Sequence, residues 1–148
     1  MKPIKLNTLT KNILFAVFTA MLIFSCNSCA TKAKFLTSSV VPAARGSVKV
    51  TKDKNNNYDI KIDIYNLSEP GRLDPPKHTY VVWMVTAQDN LTKNIGQIDT
   101  STGFLSKKLK ASFETVSSFK PTKIFITAED EANTQYPGRQ VVLSTNNF

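Results

Sequence analysis

The stretch Tyr58-Asp-Ile-Lys-Ile-Asp-Ile-Tyr65 decides the fold. Tyr58, Ile60, Ile62 and Ile64 alternate with Asp59, Lys61, Asp63 and Tyr65. Successive side chains of an extended chain point to opposite faces, so this is a strand with one face buried and one in water. Upstream, Val48 and Val50 alternate in the same way with Lys49 and Thr51, and Asp53-Lys-Asn-Asn-Asn57 between the two runs supplies the turn chemistry of a hairpin. Downstream, Tyr80-Val-Val-Trp-Met-Val85 is apolar at every position, as expected of a central strand covered on both sides. Four more β-rich runs follow, at 94–98, 108–116, 123–129 and 139–145. Turn signals separate them at Glu69-Pro-Gly71, Asp74-Pro-Pro76, Thr102-Gly103, Lys120-Pro121 and Tyr136-Pro-Gly138. Seven strands at this spacing, with no helical period after Arg45, predict an all-β chain: an antiparallel β-sandwich, Ig-like in size.

The N-terminus follows a different pattern. Lys2, Lys5 and Lys11 precede an apolar run from Ile13 to Phe24, interrupted only by Thr19, and no acid occurs before Asp53. That is the layout of a secretory signal, and the run falls short of the ~20 residues a membrane span needs. It ends in Leu22-Ile-Phe-Ser-Cys26, which resembles a lipobox: an aliphatic residue three before the cysteine and a small one immediately before it. A thiol is required for the diacylglyceryl thioether, and the small residue for cleavage. Phe24 is bulkier than the pattern prefers. Cys29 follows Ser28 but has no abutting hydrophobic run, so Cys26 is the expected lipidation site. Residues 1–25 are then a lipoprotein signal peptide and 26–44, rich in Ser, Thr, Ala and Lys, a flexible tether. The sandwich is expected to occupy 45–148.

Composition narrows the function. The chain is 41% hydrophobic and carries a formal +8, of which three lysines would leave with the signal segment. The remaining +5 is spread out and favours an anionic membrane surface modestly. No basic run is interleaved with aromatics, which argues against nucleic-acid binding. Both cysteines lie at the signal junction, so the domain has neither a disulfide framework nor a Cys-based zinc site.

Each residue with chemistry to offer has a plain structural explanation. His78 is the only histidine and lacks His or Cys partners for a metal, and no Gly-x-Ser-x-Gly elbow offers it a nucleophile. Asp53, Asn55, Asn57 and Asp59 resemble the start of a calcium loop, but Tyr58 and Ile64 stand where its glycine and glutamate belong. Glu129-Asp130-Glu131 is an acidic cluster at a strand end, where a hard cation would offset the repulsion and solvated loop charge is the simpler account. Trp83 reads as a packing anchor, and Lys107, Lys108 and Lys110 as a charged edge that discourages strand pairing. No catalytic residue, cofactor site or metal site is assigned.

One family resemblance runs through residues 45–145. Leu73-Asp-Pro-Pro-Lys-His-Thr-Tyr-Val-Val-Trp-Met-Val85 resembles the proline-rich turn and Tyr-x-x-Trp of the C-terminal extracytoplasmic domain of anti-sigma-K factors. Asn94-Ile-Gly-Gln-Ile98 matches its glycine-bearing strand. Ile124-Phe-Ile-Thr-Ala-Glu129, Pro137 and Val141-Val-Leu143 match its closing strand, loop and strand. The chain lacks that family's sigma-binding domain and transmembrane helix, so the resemblance implies only the outer module, without catalytic residues. The expectation is a lipid-anchored, non-enzymatic binding or sensory module of the bacterial envelope. It would lie outside the cytoplasm, with an envelope protein or glycan as partner. The rivals are an envelope hydrolase or carbohydrate-active domain working through Glu129, and a structural or adhesin-like surface subunit.

Overall fold

In the computed structural model, residues 7–23, 30–98 and 110–148 are described. The alternating run is strand β3 (Tyr58–Tyr65), and it pairs antiparallel with β2 (Arg45–Lys52) through the predicted hairpin. Asp53 closes the turn: its Oδ1 accepts the backbone N–H of Asn55 and of Asn57, each at 2.8 Å, while Asn56 takes a left-handed φ of 66°. Of the faintly calcium-like residues, Asp53, Asn55 and Asn57 are engaged in the turn itself, and Asp59 lies in β3.

The other strands are β1 (Ala30–Lys34), β4 (Thr79–Thr86), β5 (Thr92–Ile98), β6 (Lys110–Ser117), β7 (Pro121–Glu129) and β8 (Val141–Ser144). A helix, α1, spans Thr8–Ile23, and a short 3₁₀ turn spans Pro70–Arg72. No described helix is long and apolar enough to cross a membrane. Two antiparallel four-stranded sheets, in the orders β1-β2-β3-β6 and β5-β4-β7-β8, form the predicted β-sandwich. Cys26, Cys29, Lys107 and Lys108 lie outside the described residues.

Eight strands are described, against seven expected, and the extra one lies in the segment read as a tether. Residues 30–44 belong to the sandwich: β1 pairs along its length with β2, from Ala30 opposite Thr51 to Lys34 opposite Ser47. Beyond it, Phe35 bridges to Thr145, and Leu36 donates its N–H to the Ser144 carbonyl at 2.8 Å, linking the two sheets. Ser38 is buried and its Oγ accepts the N–H of Val40 and of Val41, while Val41 and Ala44 enter the core. β1 forms because the outer edge of β2 offers unpaired backbone groups that any extended segment can satisfy. Side-chain composition, which suggested a tether, has little say in such pairing.

Ile60, Ile62 and Ile64 of the first sheet face Tyr80, Val82, Met84, Ile124 and Ile126 of the second across the core. Gly96 has a φ of +137°, and a Cβ there would sit 2.8 Å from the Phe113 ring, so the glycine admits that ring between the sheets. Tyr80 is fully buried, and its hydroxyl donates to the Ser68 carbonyl at 2.8 Å. Burial pushes the phenol up from 10.0 to about 12. The unfolded chain therefore ionises Tyr80 first, and its stabilising contribution, whole below pH 10, is lost as pH rises toward about 12. The loss is at most about 3 kcal/mol. Urea melts between pH 9 and 12 should show a decline that Tyr80→Phe lessens. Parallel pH profiles for the two proteins would contradict it.

Candidate functional site

The outer face of the second sheet is where the chemistry-bearing residues meet. Val81 and Trp83 on β4, and Phe125, Thr127 and Glu129 on β7, point away from the core by the strand alternation. Trp83 and Thr127 are nonetheless fully buried and Glu129 is 8% exposed. The cover is the segment from Asp130 to Gly138. Asn94, opposite Trp83 in the β4–β5 register, donates its side-chain amide to the carbonyls of Ala132 and Thr134 at 2.9 and 3.0 Å. This is how the two-sided apolar pattern of β4 is met: core on one face, a returning loop on the other. Trp83 stacks on Phe125 with centroids 6.2 Å apart and planes at 15°.

A polar relay runs beneath that loop. The Trp83 indole N–H donates to Thr127 Oγ1 at 2.7 Å, and the Thr127 hydroxyl donates to Glu129 Oε1. The same carboxylate oxygen accepts the Gly138 N–H at 2.7 Å, where the loop rejoins the sheet. A Cβ on Gly138 would stand 2.6 Å from Glu129 Oε2, so only glycine lets the backbone approach this closely. Glu129 is thus the clasp of the loop.

The acidic cluster does not act as a unit. Glu129 is buried beneath the loop, Asp130 pairs with Lys77 at 2.7 Å, and Glu131 is exposed. The Lys77 hydrogen bond, with the Lys77 charge, holds the Asp130 carboxyl below its usual range. Alternation sends neighbouring residues of an extended chain to opposite sides, which separates carboxylates adjacent in sequence. Among the described residues no three potential ligands converge as a metal site would require. His78 is exposed, with its backbone N–H on the Glu129 carbonyl and its ring Nδ1 3.2 Å from the Asp130 carbonyl. Lys110 pairs with Asp63 at 3.4 Å on the outer face of the first sheet.

Beside the clasp lies an open groove of about 670 Å³. The β1–β2 connection contributes Val40, the β3–β4 connection Pro75 and Lys77, and the β7–β8 side Glu129, Arg139 and Gln140. The Asp74–Pro75 peptide is cis, and the Gln140 side-chain N–H groups reach the carbonyls of both residues at 3.3 and 3.4 Å. Gln140 Oε1 is buried without a hydrogen-bond partner among the described residues. The groove mixes apolar walls with both signs of charge, which suits a partner of mixed polarity. Sequence reasoning singled out Glu129 but missed Gly138, Arg139 and Gln140, whose only signal was a Pro-Gly turn.

Glu129→Gln should keep the volume but put an amide where one oxygen accepts both Thr127 and Gly138. The cost of an unmatched buried group is about 1–3 kcal/mol. Hydrogen exchange at Gly138 and in residues 130–137 should accelerate before the sheet unfolds. Unchanged exchange there would show that the clasp does not hold the loop.

No family model, no curated protein and no solved structure matches this chain.

Proposed function

We propose that this chain is a lipid-anchored bacterial envelope protein whose sandwich serves as a non-enzymatic binding and sensory module. The observation that carries the reading is where the sandwich begins. β1 starts at Ala30, four residues after Cys26, so an anchor on that cysteine holds one pole of the domain at the bilayer. The groove, formed by the connections at the opposite ends of the strands, then faces away from the membrane toward an envelope protein or glycan.

Two further observations support it. Glu129 and Asp130, the acids a hydrolase would recruit, are held by Thr127, Gly138 and Lys77. The segments resembling the outer domain of anti-sigma-K factors are not scattered either. They fall on β4, β5, β7 and β8, which together make one sheet. That likeness carries the idea of an outer sensory module, and no sigma-factor inhibition.

Cys26→Ala should abolish processing and release the domain from the membrane, whereas Cys29→Ala should do neither. Membrane attachment of a processed Cys26→Ala protein would end the lipoprotein reading. For the groove, Lys77→Glu with Arg139→Glu should lose the envelope partner that the wild-type lipoprotein retains on purification. Turnover of an envelope glycan or peptide by the purified protein, lost in Glu129→Gln, would favour the hydrolase instead.

A further inference from the structure

We propose that the pole at which the chain enters the sandwich is a docking surface for an anionic phospholipid layer. The inference rests on the lipid anchor at Cys26 and adds how the domain stands on the membrane. Four Cα–Cα steps separate Cys26 from Ala30, so whatever path the chain takes the strand begins within about 15 Å of the anchored residue. A spacer of that reach cannot hold the domain clear of the headgroups.

The turns that share this pole are basic. Ala30 lies opposite Thr51, next to Lys52 and the 53–57 turn. Ala87 donates its N–H to the Lys120 carbonyl at 2.9 Å, bringing the β4–β5 and β6–β7 turns together. Lys52 and Lys120 line one small hollow with Tyr58 and Phe148. Lys52, Lys54 and Lys120 are exposed, and none is in an ion pair among the described residues. Lys93 stands over the Phe119 ring, 3.9 Å from its centroid. Three aspartates share the pole: Asp59 is exposed opposite Thr51, and the other two serve their own turns. Asp53 accepts the N–H groups of Asn55 and Asn57, and Asp89 accepts the Thr86 hydroxyl and the Leu91 N–H. Leu91, 53% exposed, adds an apolar tip that a headgroup layer can take up.

The other pole has no such excess: Glu69, Asp74, Glu129, Asp130 and Glu131 are matched there by Arg45, Arg72, Lys77, Lys110 and Arg139. An anionic surface therefore attracts the entry pole more than the groove pole, orienting the domain with its groove outward. Each lysine close to such a surface changes affinity about fivefold, and the attraction fades within a Debye length of about 10 Å. Short reach and clustered charge are both needed, and this pole has both.

The test is lysine acylation footprinting of the full lipidated protein. It would be reconstituted in vesicles of phosphatidylcholine alone or of phosphatidylcholine with phosphatidylglycerol. On the anionic vesicles Lys52, Lys54 and Lys120 should react about threefold or more slowly than on the neutral ones, and 1 M salt should erase the difference. Lys32, Lys49 and Lys77 should change little. In Lys52→Glu/Lys54→Glu/Lys120→Glu, all exposed positions, the remaining protection at Lys93 should vanish. Equal rates at the pole on both vesicles would overturn the proposal. So would protection centred on Lys32 and Lys49, which would place the face of the first sheet on the membrane instead. The same digest reports the mass of the Cys26 peptide. An unlipidated Cys26 would overturn the anchor and this proposal with it, whereas a lipidated Cys26 with an unprotected pole would overturn this proposal alone.

Discussion

Trp83→Ala is expected to cost about 3–5 kcal/mol, the usual range for removing a large buried aromatic side chain. Domains of this size are stable by only about 5–15 kcal/mol, so the variant should be barely folded or unfolded at physiological temperature. Three losses combine at this position. The fully buried ring leaves a cavity between β4 and the covering loop. Its stacking on Phe125 disappears. Thr127 also loses the indole donor that orients its hydroxyl toward Glu129. Trp83→Phe separates these effects, because it keeps an aromatic ring beside Phe125 while removing the N–H together with two ring carbons, at about 1–3 kcal/mol. Thermal melts of the two variants measure the split, and a midpoint drop of more than ten degrees is expected for alanine at about 4–8 °C per kcal/mol. The unsubstituted protein, whose single tryptophan this is, should show a blue-shifted native emission. A quenchable tryptophan with a tolerated alanine would mean that the loop does not cover this face.

A chain beginning at Arg45 is expected to fail as a folded domain, whereas one beginning at Ala30 should fold. Starting at Arg45 removes β1, leaves β2 as an open edge and breaks the Phe35–Thr145 bridge between the sheets. It also removes Val41, 5% exposed, whose burial alone stabilises by about 2 kcal/mol. Adding the half-buried Phe35 and Val40 brings the loss to roughly 5 kcal/mol, comparable with the whole stability of a small domain. The exposed β2 edge should also promote aggregation. Circular dichroism and sedimentation of the two chains would decide the matter. A cooperative melt from Arg45 onward, within a few degrees of the longer chain, would return residues 30–44 to the role of a tether.

What could be read in the residues was whatever a single element settles by itself. The alternation of Ile60, Ile62 and Ile64 identifies β3, Asp53 and its asparagines build the turn beside it, and the all-apolar run around Trp83 requires cover on both faces. Such patterns work because side-chain direction and turn geometry depend on neighbours a few residues away. Tertiary structure alone decided the rest. Ala30-Thr-Lys-Ala-Lys34 carries little strand signal, yet it becomes β1 because the open backbone groups of β2 accept it. Glu129, Asp130 and Glu131 form one cluster in sequence but go separate ways in space, to a loop clasp, a lysine and solvent. Gly138 is a turn glycine by sequence and a close-approach glycine only because the loop returns onto Glu129. The basic pole exists only once the strands are paired, since its lysines come from turns far apart along the chain. Backbone pairing and chain return join groups that no local pattern connects, so those features could be read only from the folded molecule.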